Sequence, residues 1–128
     1  MPRKKALVLT DHELRLMDVI WEKARATVAE VTASLPPPPL AYNTVLSTLR
    51  TLEQKGYVAH DRGVKAYTFR PLVARDDAAK SAVAHVVARF FRNSPNALAV
   101  TLLDDVPLGE KEREQIRALL EAAGKDGR

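Results

Sequence analysis

The chain has 128 residues, of which 46% are apolar and none is cysteine; this suits one ordinary domain, or a small domain with an appendage, and excludes disulfides, thiolate metal sites and cysteine nucleophiles. The net charge of +4 lies wholly in residues 1–70, which carry 11 basic and 7 acidic side chains against 9 of each in residues 71–128, and this segregation favours a polyanionic partner. With no apolar run near the roughly 20 residues that cross a bilayer and a poor match to a signal peptide at the start, we expect a cytoplasmic protein without membrane insertion.

The first two helices are marked by capping boxes, in which a hydroxyl and a carboxylate satisfy free amides at a helix start. Thr10–Glu13 opens a helix whose apolar stripe must be packed, and Thr27–Glu30 opens a shorter one. The stripe of the first helix contains Leu14, Met17, Val19, Ile20 and Trp21. The four prolines of residues 36–39 then predict an extended, stiff connector, because proline fixes its backbone angle and lacks an amide proton.

Residues 40–72 have the pattern of a third helix followed by a hairpin. Val45, Leu49 and Leu52 recur at helical spacing, while the opposite face carries short hydrogen-bonding side chains and one arginine. Gly56 is a typical helix end, and two strand-like runs follow, residues 57–60 and 66–69, around the turn-prone sequence of residues 61–63. We therefore predict a mainly α fold with a small β-wing, a winged helix-turn-helix DNA-binding domain over residues 1–73.

Residues 74–128 predict three further helices. Asp76 or Asp77 can cap the first, Ser94 followed by Pro95 is a strong start signal for the second, and the third would begin after Gly109 and end at Gly124. Short amphipathic helices have too little interior of their own, so we expect a helical dimerisation domain; packing onto the first domain is the alternative. The apolar residues expected at the dimer contact are Val83, Val86, Phe90, Leu98, Leu102, Ile116, Leu119 and Leu120.

The chain resembles the penicillinase repressor family of bacterial winged-helix regulators, of the BlaI, MecI and CopY type. The resemblance is carried by Glu13-Leu14, Met17, Val19-Ile20-Trp21, Ala41-Tyr42-Asn43-Thr44-Val45, Leu49-Arg50-Thr51-Leu52-Glu53, Lys55-Gly56-Tyr57-Val58, Ala66-Tyr67 and Pro71-Leu72. It implies a homodimer that binds a palindromic operator and represses genes for antibiotic response or metal homeostasis until a signal relieves it.

The resemblance also implies where DNA is bound. The recognition helix corresponds to about residues 42–55, in the major groove, and the wing to residues 57–70. Arg50 suits bidentate recognition of guanine or a phosphate clamp, and the sequence leaves both open. The residues expected to contact DNA are Tyr42, Asn43, Thr44, Ser47, Thr48, Arg50, Thr51, Lys55, Arg62 and Lys65.

The chain departs from the family in two ways that concern its signal. Copper-responsive members carry paired C-terminal cysteines, which are missing here. Antibiotic-responsive members are cleaved at an Asn-Phe bond in the dimerisation part, and the corresponding place is about Thr101–Leu102. The resemblance therefore suggests a membrane sensor protease as a partner. The bond at the corresponding place, however, is Thr-Leu and not Asn-Phe.

Catalysis is not expected. His12, His60 and His85 fall on three different elements without ligand or triad spacing, and the chain contains neither a glycine-rich phosphate loop nor a Gly-x-Ser-x-Gly motif. We expect no cofactor and no metal. Two alternatives to a repressor stay open, a winged-helix protein-interaction module and a DNA-binding activator.

Overall fold

A computed structural model describes residues 8–127 of the chain. This part forms six helices and a small sheet, which confirms the predicted mainly helical fold with a β-wing. In chain order the elements are α1 (Asp11–Lys23), β1 (Ala26–Thr27), α2 (Val28–Ser34), α3 (Tyr42–Lys55), β2 (Val58–Arg62), β3 (Tyr67–Pro71), α4 (Arg75–Phe90), α5 (Pro95–Asp104) and α6 (Glu110–Gly127).

The sheet has three antiparallel strands in the order β1-β3-β2. The hairpin of β2 and β3, which we call the wing, pairs Val58 with Pro71 and Arg62 with Tyr67. Relative to the predicted runs, each strand begins one residue later and ends two residues later, at Arg62 and at Pro71. The short β1 was not predicted, and it pairs Ala26 with Phe69, which ties the wing to the start of α2.

The core of the sheet-containing part is formed by α1, α2 and α3 against the wing. The three apolar residues that define the pattern of α3 are fully buried, as predicted. In α1 the pattern was only partly right, because Leu16 is fully buried while Leu14 is 42% exposed. The buried side chains of this core include Leu16, Met17, Ile20, Val31, Val45, Leu49, Leu52, Tyr57 and Val58.

Most of the predicted helix ends are confirmed. The side-chain oxygens of Thr10 and Thr27 accept from the backbone amides of Glu13 and Glu30, so both capping boxes form, and Gly56 ends α3 in the left-handed conformation with φ of 91°.

Two helix ends were predicted wrongly. Helix α4 begins at Arg75, so Asp76 and Asp77 lie within its first turn and not before it. Carboxylates in the first turn interact favourably with the helix dipole. Helix α6 continues beyond the predicted stop at Gly124 as far as Gly127.

The chain divides into two compact units, Met1–His85 and Val86–Arg128. This division falls within α4, whereas we predicted the functional boundary between residues 73 and 74; that functional boundary stays a prediction. None of the side chains described in residues 86–123 is buried. Within the part that the structure describes, no helix is both long enough and apolar enough to cross a lipid bilayer.

Candidate nucleic-acid interface

Helix α3 has one buried apolar face and one exposed polar face. Leu49 packs into the core with no exposed area, while Asn43, Ser47 and Arg50 are exposed. The exposed face combines an amide, hydroxyls and a guanidinium, which are the groups that hydrogen-bond to base edges and phosphates. The structure thus brings most of the predicted contact residues onto one surface, namely Tyr42, Asn43, Thr44, Ser47, Arg50 and Thr51, with Thr48 half-buried at its border.

Three hydroxyls on or beside this face donate to backbone carbonyls of their own helix. Ser47 Oγ lies 3.2 Å and Thr48 Oγ1 2.8 Å from the Thr44 carbonyl oxygen, and Thr51 Oγ1 lies 3.1 Å from that of Ser47. A hydroxyl bonded in this way keeps its lone pairs for an incoming donor such as a base amino group. Binding a phosphate instead requires the hydroxyl to rotate and to exchange the carbonyl for a charged acceptor, which forms the stronger bond.

The start of α3 differs from the starts of α1 and α2. Its N-cap is Ala41, which makes no side-chain hydrogen bond, and its first turn holds no acidic residue. The first amides of a helix have no intrahelical acceptor, and the helix dipole makes this end partly positive. An anion can therefore bind at the start of α3, at the position that Glu13 occupies in α1 and Glu30 in α2.

The wing presents cations at a tight tip. Arg62 and Lys65 are exposed on either side of Gly63, whose amide donates to the Ala66 carbonyl oxygen at 3.0 Å. A Cβ atom at Gly63 would lie 2.4 Å from that oxygen, so a side chain is sterically excluded there.

The base of the wing is fixed by two polar pairs. The Arg70 guanidinium donates to Asp61 at 2.9 Å, which neutralises the acid nearest the tip. His60 Nδ1 lies 2.7 Å from Glu53 Oε2, which connects the wing to the last turns of α3.

An open groove of about 510 Å³ separates α3 from the wing. Arg50 lines it from the helix, and Arg62 and Lys65 line it from the hairpin; among the described residues that line it, none is acidic. Thr27 and Ala29, at the start of α2, also line the groove. We did not predict their contribution, because it depends on the pairing of β1 with β3, and a two-residue strand has no recognisable period.

Lys55 does not join this surface. Its ammonium lies 2.8 Å from both carboxylate oxygens of Glu13, a residue that is only 4% exposed. Burial would raise the pKa of Glu13, but the hydrogen bonds from Lys55 and from the Thr10 amide outweigh it and hold the pKa below its usual value. Burial and the charge of Glu13 raise the pKa of the neighbouring Tyr57. Lys55 therefore joins α3 to α1. We did not predict this contact, because Lys55 and Glu13 are 42 residues apart in the sequence.

The residues predicted to form a dimer contact lie on α4, α5 and α6, where large apolar side chains are exposed. Phe90 is 77% and Leu119 is 70% exposed, and Val83, Leu102 and Leu120 are exposed as well. Val86, Leu98 and Ile116 are half-buried. Exposed aliphatic and aromatic side chains in this number are typical of a surface that another polypeptide covers.

The arrangement offers little to a metal ion. Among residues 8–127, no three histidine, aspartate or glutamate side chains are grouped so that they would hold one. The surface between α3 and the wing is instead suited to an extended polyanion.

Comparison with known proteins gives consistent matches. The model of the penicillinase repressor family matches residues 9–122. The penicillinase repressor of Bacillus licheniformis is 24% identical over 119 residues, which are 92% of this chain and 93% of that protein. The solution structure of the DNA-binding domain of the repressor BlaI superposes with a TM-score of 0.52 at 26% identity, covering 59% of this chain and 93% of that domain.

Proposed function

The chain belongs to the penicillinase repressor family, and from this premise we propose that it is a transcriptional repressor that binds a palindromic operator as a homodimer, through α3 and the wing. The alternatives of an activator and of a protein-interaction module are not favoured. The single observation that carries the proposal is the groove between α3 and the wing, in which Arg50 faces Arg62 and Lys65 without an acidic neighbour among the described lining residues.

The phosphate backbone is bound at the edges of this surface. Arg62 and Lys65 extend from the wing over the strand that flanks the major groove, and the uncapped start of α3 directs its free amides at another phosphate. Each neutralised phosphate releases counterions and contributes about −0.9 to the salt dependence of the binding constant. These contacts provide affinity and register but no sequence preference.

Sequence preference comes from the exposed side chains of α3. Arg50 can donate to guanine through two parallel hydrogen bonds, and Asn43 can bond adenine in the same bidentate manner. Ser47 and Thr51 accept from base amino groups while their own hydrogens stay on the helix carbonyls, and Thr44 offers a further exposed hydroxyl. Lys55 is left out of this contact set because Glu13 already binds it.

A second copy of the chain covers the apolar residues of α4, α5 and α6. A two-fold dimer presents two copies of α3, and these enter successive major grooves about 34–36 Å apart on a palindromic site. Repression follows when such a dimer occludes a promoter in the cytoplasm, with antibiotic-response genes as the targets that the family suggests.

Relief of repression by a membrane sensor protease is part of the same proposal. The corresponding bond, Thr101–Leu102, lies in the last turns of α5, and the Asp105 amide donates to the Thr101 carbonyl oxygen at 2.9 Å. A protease binds extended chain, so α5 has to open locally before it is cut. A cell in which the repressor stays intact throughout induction would exclude this route.

Fluorescence anisotropy with a pool of random duplexes tests the DNA-binding core of the proposal. We expect binding at low salt that weakens steeply as salt rises, and a salt slope that falls by about 1 for each of Arg62→Gln and Lys65→Gln. Lys80→Gln, the same change at an exposed position of α4, should leave the slope unaltered. Failure to bind duplex at low salt would refute the proposal.

Operator selection from the same pool then tests Arg50. Arg50→Ala should cost roughly 1–3 kcal/mol on the selected operator and relax specificity at one base pair. An equal loss on all sequences would instead assign Arg50 to a phosphate.

A further inference from the structure

A second pocket, of about 340 Å³, lies within the first unit between α1, the first turns of α4 and Tyr57. None of the proposed DNA contacts lines it, and its walls are mainly apolar. This volume lies at the lower end of the range found for small-molecule sites.

The pocket exists because small side chains face large ones. Helix α4 contributes Ala79 and Ala82, while the opposite walls are Trp21 and the buried Tyr57. Leu14 also lines it and is 42% exposed, although its helical spacing placed it with the core. Covering this apolar surface with an apolar group removes it from water and is therefore favourable.

A cation lies at this otherwise apolar site. Arg75 lines the pocket, and its guanidinium carbon lies 4.7 Å from the centre of the Trp21 ring. One terminal nitrogen of Arg75 donates to Asp18 Oδ1 at 2.8 Å, in a pair whose side chains are 56% and 50% exposed. Exposed pairs of this kind contribute little, and a guanidinium has five donors, so Arg75 can bind a further anion.

The indole N–H of Trp21 already has a partner within the protein. Its Nε1–H donates to the Val73 carbonyl oxygen at 2.8 Å, so its one polar group is satisfied inside the protein. What Trp21 offers to the pocket is therefore apolar surface beside a positive charge.

We propose that this pocket binds a small amphipathic anion, an alkyl or aryl carboxylate whose apolar part lies against Trp21, Leu14 and the alanines of α4 while its carboxylate accepts hydrogen bonds from Arg75. This site is independent of the proposed DNA surface, and its occupancy can be measured without DNA.

Trp21 is the only tryptophan of the chain, so its fluorescence reports directly on the pocket. The probe is octanoate, titrated against the full chain at about 0.15 M salt, where screening acts within about 8 Å. Octylammonium, which has the same tail and the opposite charge, is titrated in parallel. We expect a saturable change in Trp21 emission with octanoate and weaker binding of octylammonium.

Two variants separate the apolar wall from the cation. Ala79→Phe fills the pocket and should abolish the saturable change, while Ala84→Phe, at another exposed alanine of α4 that does not line the pocket, should retain it. Arg75→Gln should lower the preference for octanoate over octylammonium about tenfold, because it removes a charge-assisted hydrogen bond. Circular dichroism establishes that each variant is folded.

Three results would overturn the proposal. They are an emission change that does not saturate, equal responses of the Ala79→Phe and Ala84→Phe variants, and an anion preference that Arg75→Gln leaves intact.

Discussion

The two units of this chain solve the problem of burying apolar side chains in different ways. In the first unit the helices and the wing enclose a core in which Leu16, Ile20 and Leu49 have no exposed area. In the second unit no described side chain of residues 86–123 is buried, and Phe90 and Leu119 are largely exposed. The first unit therefore encloses a core within one chain, whereas most of the residues that we assign to contact with a second copy lie in the second unit.

This contrast predicts its largest effect for the core of the first unit. Leu49→Ala removes a fully buried side chain and should lower the free energy of unfolding by about 2–5 kcal/mol, since the lost burial and the cavity both count. Urea unfolding monitored by Trp21 fluorescence measures this loss. Val64→Ala, at a fully exposed side chain outside the proposed dimer contact, should leave that transition within about 0.5 kcal/mol; equal losses would contradict the assignment of Leu49 to the core.

The core is also where sequence patterns were most informative. Helical spacing identified Val45, Leu49 and Leu52, and the two capping boxes located the starts of α1 and α2, because such signals depend only on neighbours along the chain. Helical spacing did not show which of Leu14 and Leu16 would be buried in the core. Which side of a broad apolar stripe is covered depends on elements that are distant in sequence.

On the candidate DNA surface, too, features set by neighbours along the chain were predictable and features set by distant residues were not. The polar face of α3 and the cations of the wing were predictable from spacing and residue type. The role of Lys55 was not, because its partner Glu13 lies 42 residues away, and neither was the contact of Arg15, which donates to the Pro36 carbonyl oxygen at 2.6 Å and also to that of Pro38. Those contacts fix α3 and the proline connector by tertiary packing alone.

The exposed surface of the second unit predicts the next largest effect. Leu119→Asp puts a charge where we expect an apolar contact and should weaken self-association by about 2 kcal/mol, roughly 30-fold in the dissociation constant. Sedimentation equilibrium measures this, and Ala118→Asp, at the adjacent exposed position of α6, is the matched control. A Leu119→Asp protein that associates as strongly as its parent would remove α6 from the contact.

A smaller effect is expected for the polar link inside the first unit. Lys55→Gln leaves Glu13 buried without its ammonium and should cost about 1–2 kcal/mol at pH 7, less than a fully buried pair because Lys55 is partly exposed. Lys80→Gln, in exposed surroundings, is the control and should change stability by less than about 0.5 kcal/mol.

The pH dependence of this cost follows from the lowered pKa of Glu13. A carboxylate whose pKa is lowered by folding stabilises the protein above its unfolded value of about 4.3, and this contribution is lost as the pH falls through the folded pKa. The difference between the parent and Lys55→Gln should therefore be present at neutral pH and shrink below about pH 4. A difference that stays constant down to about pH 3 would show that packing, and not charge, is responsible.

The smallest effect is expected at the start of α3, where the helix amides have no side-chain cap. Ala41→Ser supplies a side-chain acceptor and should raise the free energy of unfolding by about 1 kcal/mol. If those amides bind a phosphate, as we propose, the new hydroxyl competes with it, and affinity for random duplex should fall while stability rises. Ser34→Ala, at the exposed last residue of α2, controls for a change of one hydroxyl. Parallel gains in stability and in DNA affinity would place the phosphate elsewhere, because an amide that is already bonded cannot also hold the anion.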